Sequence, residues 1–279
     1  MHRRDREGLT TPDPSTDAAS HIAALAEHAG RSAVIVDFDG SVAPIVDDPA
    51  AAAADPRVLE ALRAAVPQFA VVAVVSGRPV EFLAERLPVP GLVLVGQYGL
   101  ETSVDGVQTI DPRVELFVDA VDEAAAAFER SGLGLAVERK GVVATALHWR
   151  TAPDREAAAL ELAREVAGRT GLELMTGRMV AELRPAIPVD KGTAVETLVT
   201  GLDAACFAGD DEADLAAFDA LARLRADGAL DLGVRVGVRS SEMPERLRAA
   251  ADVVVDGPAG LAAFLTEISR GGAPRPAAR

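Results

Sequence analysis

Cysteine is nearly missing from this chain: Cys206 is the only one among 279 residues. That excludes an intramolecular disulfide and a zinc–thiolate cluster, and it fits a reducing compartment. Lysine is almost as scarce. Lys140 and Lys191 stand against 26 arginines, so a lysine hints at a place where a compact, flexible ammonium is wanted. No uninterrupted run of 18 apolar residues occurs, which argues against a membrane-spanning helix. The N-terminal MHRRDREGLTTPDPSTD has basic residues but no apolar segment behind them, so it does not read as a secretory signal. An excess of positive charge is missing too. Lys and Arg total 28 against 43 Asp and Glu, a net charge of −15. Such a surface repels nucleic-acid phosphates and anionic lipid, so neither nucleic acid nor membrane is an expected partner.

What remains is the composition of a globular protein, 49% hydrophobic and 25% charged, of a length for one large or two medium domains. Apolar runs at Ala33–Val36, Ala70–Val75 and Leu92–Val95 suit strands buried on both faces of a parallel sheet. Helical spacing marks Pro56–Ala65 and Val80–Leu87 between them. The alternation resumes with a helix at Lys191–Thr200, a strand at Ala204–Ala208 and a helix at Glu212–Arg225. Leu232–Val238, Asp252–Val255 and Pro258–Ile268 complete it.

The middle differs. Val104-Asp105-Gly106-Val107 reads as a tight turn. Asp111–Arg130 reads as a long amphipathic helix, with Leu116, Ala120, Val121, Ala124 and Phe128 on one stripe. Strands at Leu135–Lys140 and Val142–Arg150, a helix at Pro153–Gly168, and strands at Leu172–Met175 and Met179–Arg184 follow, the last pair turned by Thr176-Gly177. The simplest account is a doubly wound, mostly parallel, Rossmann-like α/β core, 21–103 and 187–270, with a small α/β cap inserted at 104–186. Residues 1–20 read as a flexible arm and 271–279 as a flexible tail.

Chemistry-bearing residues gather where strands end. Asp37 and Asp39 follow the first apolar strand, and ligands in open α/β sheets bind outside the carboxyl ends of strands. Two carboxylates followed by Gly40 can make a magnesium site and a nucleophile. Ser76 follows the second strand, where its hydroxyl and the peptide N–H groups near Gly77 can hold a phosphate oxygen. Lys191 opens a helix, where its charge opposes the macrodipole unless a phosphate is bound there. Asp210, Asp211 and Asp214 surround another strand end and suit a hard cation. Asp37, Ser76 and Asp210 are expected on one rim.

In order, DxDGS, SGR, a lysine and GDD resemble the haloacid dehalogenase superfamily of phosphotransferases. Together with YGLE (98–101), HWR (148–150) and GRMVAELRP (177–185), the pattern more narrowly resembles the trehalose-6-phosphate phosphatases. By that resemblance Asp37 is the nucleophile, Asp39 the acid and base, and Ser76 and Lys191 hold phosphoryl oxygens. Mg2+ is implied on Asp37, the Asp39 carbonyl and Asp210, backed by Asp211 and Asp214. Gly77, Arg78, Glu138, Lys140, His148, Arg150, Arg178 and Glu182 are implied on the substrate, with His148 and Arg150 alternatively bracing the cap.

Period-two alternation puts Glu138 with Lys140, His148 with Arg150, and Glu182 with Arg184 on shared faces. Ala144 and Ala146 beside them are expected to leave room for a polyhydroxylated sugar. Val143, Thr145, Leu147 and Trp149 are expected against the cap helices. Four departures from the family pattern stand out. Ser41 replaces Thr, Tyr98 replaces His, Arg178 replaces Lys, and Ala213 and Leu215 lose a hydroxyl and a carboxylate. The implied reaction is hydrolysis of trehalose 6-phosphate by a cytoplasmic monomer, linked in function to trehalose-6-phosphate synthase. Other sugar phosphates (sucrose phosphate, a glycosyl phosphoglycerate) or a non-catalytic sensor are the alternatives.

Overall fold

The computed structural model describes residues 14–271 apart from positions 47, 178 and 242. The first elements are α1 (Pro14–Glu27), β1 (Ser32–Val36), α2 (Pro56–Ala65), β2 (Val71–Val75), α3 (Val80–Arg86) and β3 (Val93–Gly96). Next come β4 (Glu101–Val104), β5 (Val107–Ile110), α4 (Val118–Arg130), β6 (Ala136–Lys140), β7 (Ala144–His148), α5 (Glu156–Thr170), β8 (Glu173–Gly177) and β9 (Val180–Arg184). The chain closes with α6 (Lys191–Leu198), β10 (Ala204–Gly209), α7 (Leu215–Ala226), β11 (Leu232–Arg239), α8 (Glu245–Ala250), β12 (Val253–Asp256) and α9 (Gly257–Gly271). The fold is α/β, as the alternation requires. Among the described residues, no helix is long and apolar enough to cross a membrane.

The described chain divides into two compact units. One holds the residues up to Val74, 89–92 and those from Val195 onward. Its strands run parallel in the order β12-β11-β10-β1-β2. Every residue of β1 and β10 is buried, which explains why both read as unbroken apolar runs. From β1 the chain moves to β2 on one side; from β10 it moves to β11 and β12 on the other. The carboxyl ends of β1 and β10 therefore flank a topological switch point, where such sheets bind ligands. Helices α1 and α2 both pack on α9.

The other unit holds 75–88 and 93–194. It contains the antiparallel strands β3-β4-β5 and a separate antiparallel sheet in the order β6-β7-β9-β8. The turn between β4 and β5 is Asp105-Gly106, both at positive φ (51° and 79°), the twist-matched hairpin geometry that Asp-Gly favours. One face of the second sheet buries Leu147, Trp149, Ala181 and Leu183. Against them lie Val121, Ala124 and Phe128 of α4 and Ala159, Ala163 and Val166 of α5.

Local chemistry sets the helix starts. Asp-Pro-Arg occurs at 55–57 and at 111–113 and folds the same way twice. Asp55 and Asp111 accept the N–H of Arg57 at 2.8 Å and of Arg113 at 2.9 Å, and each also pairs with that arginine's guanidinium. The proline occupies the first helical turn, where its missing N–H costs nothing. The arginine hydrogen bond holds each aspartate below the usual carboxylate range.

Several expectations need correction. The segment after Asp111 is a 3-10 turn, Pro112–Phe117, before α4 begins. A tighter helix has a shorter repeat, so the stripe loses phase: Leu116 is 84% exposed and Val114 is buried instead. Thr176-Gly177 is not the turn; β8 runs through Gly177, which pairs with Val180. β7 ends at His148, so Arg150 lies in the following turn, exposed, and shares no strand face. Val143 packs with Leu100, Val114 and Ile187 rather than with the cap helices. Helix α1 starts at Pro14, inside the stretch read as an arm; 1–13 and 272–279 lie outside the described residues.

The corrected helix phase has a measurable consequence. Phe128→Ala should cost about 3–5 kcal/mol, whereas Leu116→Ala should stay within about 0.5 kcal/mol. Urea denaturation of both variants checks this. A Leu116 variant as destabilised as the Phe128 variant would restore the continuous helix.

Candidate active site

In the first unit, β1 and β10 are in register with Val36 opposite Ala208. The Asp37 N–H donates to Ala208 O at 2.8 Å, so the two strand ends stay paired where the acidic residues begin. Carboxylate oxygens of Asp37, Asp210 and Asp214 lie within 4.8 Å of one another. Their exposures are 3%, 1% and 0%. Asp214 Oδ2 accepts the N–H groups of Asp210 at 2.8 Å and Asp211 at 2.9 Å. Asp211 reciprocates by accepting the N–H groups of Ala213 and Asp214, a capping box at the helix start. Asp214, expected behind the metal ligands, is thus a member of the carboxylate cluster, while Asp211 builds the turn that carries it.

Gly40 gives the cluster its room. Its φ is +82°, and a Cβ there would fall 2.0 Å from Asp210 Oδ2. The loop around it closes on itself, with Gly40 N–H donating to Ala43 O and Ala43 N–H to Phe38 O, both at 2.8 Å. Asp39 is half-buried on that loop and forms a bridge with Ala43. Ser41 Oγ is buried with no hydrogen-bond partner. Three carboxylates buried this close repel one another, so the donor set suits a hard divalent cation, which prefers oxygen ligands.

In the second unit, Ser76 is buried just past β2. Its N–H donates to Val95 O at 2.9 Å, and its Oγ accepts the Arg78 N–H at 3.1 Å. Tyr98 N–H donates to Ser76 O at 3.0 Å. A Cβ on Gly77 would lie 2.6 Å from the Tyr98 ring, so Gly77 is where that ring comes to rest. The Arg78 guanidinium lies 4.5 Å from the Phe82 ring centroid and helps hold Glu138 in its charged form. Lys191 is 3% exposed and opens α6. Asp190 caps that helix through the Thr193 N–H at 2.8 Å.

The face of the β6–β9 sheet opposite the cap core carries paired charge. His148 Nε2 lies 2.8 Å from Glu138 Oε2, and Lys140 Nζ pairs with Glu182 Oε2. The His148 contact, more than any other, lowers the Glu138 pKa. Glu182 Oε1 is buried and has no hydrogen-bond partner. Ala144 and Ala146 are fully buried. They do not leave open room; they form a floor opposite Lys140 and Glu138 in register. Arg184 pairs with Glu173 at 3.2 Å and reaches over the Tyr98 ring at 5.3 Å. Arg178 lies outside the described residues.

Sequence reasoning missed two residues of this unit. Glu101, quoted only as part of YGLE, is a buried carboxylate that accepts the Val80 N–H at 2.7 Å. Gln97 is buried with a positive φ of 50° and an Nε2 that has no partner. The signal available was position alone, since both lie beside the end of β3.

The trehalose-phosphatase family model matches residues 35–253. An uncharacterized glycosyl hydrolase of Mycobacterium tuberculosis is 35% identical over 253 residues, 86% of this chain but 18% of that protein. A trehalose-phosphate phosphatase of Mycobacterium marinum is 34% identical over 246 residues, 84% of this chain and 60% of that protein. The chain therefore spans less than two thirds of either relative. Among solved structures, trehalose-6-phosphate phosphatase of Aspergillus fumigatus gives a TM-score of 0.59 at 26% identity, over 94% of this chain and 99% of that one. The C-terminal domain of the Candida albicans trehalose-6-phosphate phosphatase shares the fold, with a TM-score of 0.69 at 20% identity over 93% of this chain and 97% of that one. With a family match that runs from inside β1 into β12, the chain belongs to the trehalose-phosphatase family.

Proposed function

We propose that this protein hydrolyses trehalose 6-phosphate to trehalose and phosphate, with Mg2+ as cofactor and residues 104–186 as a cap over the sugar. The observation that carries this reading is the buried convergence of Asp37, Asp210 and Asp214 at a topological switch point. Family membership and the A. fumigatus relative support the substrate.

Asp37 attacks phosphorus, and the bond from phosphorus to the sugar oxygen breaks. Asp39 gives that oxygen its proton. Asp39 then takes a proton from water, and the water oxygen attacks phosphorus, releasing phosphate and restoring the Asp37 carboxylate. Asp37, the Asp39 carbonyl and Asp210 would hold Mg2+, with Asp214 beside them; the ion supplies positive charge against the phosphoryl oxygens. Ser76 and Lys191 hold those oxygens, with the peptide N–H of Gly77 and the Arg78 side chain alongside. On the cap sheet, Glu182 offers an unused acceptor, Oε1, to a sugar hydroxyl. Glu138, Lys140 and His148 present further donors and acceptors, and Arg150 and Arg178 complete the proposed sugar contacts. The action belongs in the cytoplasm, by a monomer working with trehalose-6-phosphate synthase.

The decisive assay measures phosphate release from trehalose 6-phosphate, sucrose 6-phosphate, glucose 6-phosphate and mannosyl phosphoglycerate, with magnesium or EDTA. Preference for trehalose 6-phosphate, abolished by EDTA, is expected. Release from another sugar phosphate would overturn the substrate, and silence on the whole panel would leave a sensor.

Asp37→Asn should lower turnover at least about a thousandfold. It should not lower the melting temperature, because it removes one of three mutually repelling charges. Turnover near wild type would defeat the nucleophile assignment.

Glu182→Ala should lower kcat/KM on trehalose 6-phosphate by about tenfold to a hundredfold, the worth of a lost charged hydrogen bond. On p-nitrophenyl phosphate the change should stay within about threefold. Equal losses on both substrates would remove Glu182 from sugar recognition.

A further inference from the structure

The chain contains one tyrosine, Tyr98, and bends its backbone to place it. Gln97 and Tyr98, between β3 and β4, lie at φ of 50° and 58°. For non-glycine residues such conformations persist only where the surroundings over-determine them. Three peptide hydrogen bonds do so here. Ser76 N–H donates to Val95 O at 2.9 Å, Gln97 N–H to Arg78 O at 3.0 Å, and Tyr98 N–H to Ser76 O at 3.0 Å. They stitch the end of β3 to the Ser76–Arg78 loop and bring the Tyr98 side chain onto it.

The ring meets that loop at Gly77. A Cβ there would stand 2.6 Å from Tyr98 Cζ and Oη and 3.0 Å from Cε2, its three nearest atoms. Gly77 has no positive φ, so the approach of the ring, not a turn, calls for glycine. The ring has a second partner. Arg184, the last residue of β9, places its guanidinium 5.3 Å from the ring centroid, within cation–π range. Arg184 is 8% exposed, and Glu173 opposite it in the β8–β9 ladder holds it, with Nε and Nη2 each 3.2 Å from Oε2. A guanidinium withdrawn from water attracts a ring face more strongly than an exposed one does. An aliphatic side chain at 98 would fill space beside Gly77 but would offer Arg184 no ring.

We infer that Tyr98 is a positioning residue for the Ser76–Arg78 loop: its ring rests on Gly77, Arg184 holds the ring there, and the grip of the loop on phosphoryl oxygens depends on both. The inference rests on the phosphatase reading for what the loop grips, but the contacts of Tyr98 with Gly77 and Arg184 are a property of the chain.

Variants of the full chain test the role of the ring. Tyr98→Phe keeps the ring and should hold kcat within about threefold of wild type on p-nitrophenyl phosphate and on trehalose 6-phosphate. Tyr98→Leu keeps apolar bulk and loses the ring. Its kcat should fall about tenfold on both substrates, which present the same phosphoryl group, while KM stays within about threefold. Wild-type kcat in Tyr98→Leu, a loss confined to trehalose 6-phosphate, or an equal loss in Tyr98→Phe overturns the positioning role.

A second readout needs no turnover. With one tyrosine in the chain, 3-fluorotyrosine labelling gives one fluorine resonance, that of Tyr98. Arg184→Gln should move it. Arg169→Gln, at an exposed arginine of the same unit, should leave it in place. A resonance unmoved by Arg184→Gln, or moved equally by both variants, overturns the hold of Arg184 on the ring. If Tyr98→Leu does not fold, the fluorine signal decides alone. Should wild type release no phosphate from either substrate, the phosphatase reading fails, and the fluorine signal still judges the contact.

Discussion

Repulsion among three buried carboxylates is the constraint on which the first unit's site depends. Asp37, Asp210 and Asp214 bring like charges within 4.8 Å in a region from which water is almost excluded. In water such charges would separate; here the paired ends of β1 and β10 forbid it. Two devices make the arrangement tolerable. Asp214 is met by two peptide N–H groups. Gly40 lets the backbone come close to Asp210 without a side chain in the way. What is left is a cluster of oxygen donors around one small volume, a set that suits a hard cation.

The sheet of the second unit solves a different problem with similar means. Its core face is apolar and closed, with Trp149 and Leu147 under two helices. Its other face is charged, but the charges are paired across strands. Lys140 bonds Glu182, and Glu138 meets His148. Such pairs fix side chains in place, which matters more for recognition than the modest stability they add. The pairing also leaves Glu182 Oε1 buried and unused. A half-satisfied buried carboxylate is costly unless a further donor completes it.

The elements nearest the site were the most legible in the sequence. A strand buried on both faces is an unbroken apolar run, so Ala33–Val36 and Ala70–Val75 stand out, and the residues that follow them are the ones able to carry chemistry. Helix phase was less legible, because nothing in Asp111–Phe117 announces that the first turn is 3-10 and that Val114, not Leu116, turns inward. Helix α1 is hard to read because Pro, Ser, Thr and Asp fill its first turn, although Leu25 is fully buried. Glu101 was visible as a letter and not as an interaction. Its partner Val80 is 21 residues upstream, and only the meeting of β4 with the start of α3 turns that acid into a cap.

The two lysines complete the argument about charge. Arginine does the surface work, pairing Arg31 with Asp203, Arg57 with Asp55 and Arg113 with Asp111 at exposed positions. Its flat fork suits a carboxylate beside it and holds a helix start or a strand end in place. Lys191 and Lys140 are instead enclosed, at 3% residue exposure and 13% side-chain exposure. An ammonium on a long stem can be withdrawn from water and still aim one compact charge at a point. Lys140 aims that charge at Glu182. The scarcity that opens the sequence goes with a difference in placement: Arg31, Arg57 and Arg113 pair at exposed positions, whereas both lysines are enclosed.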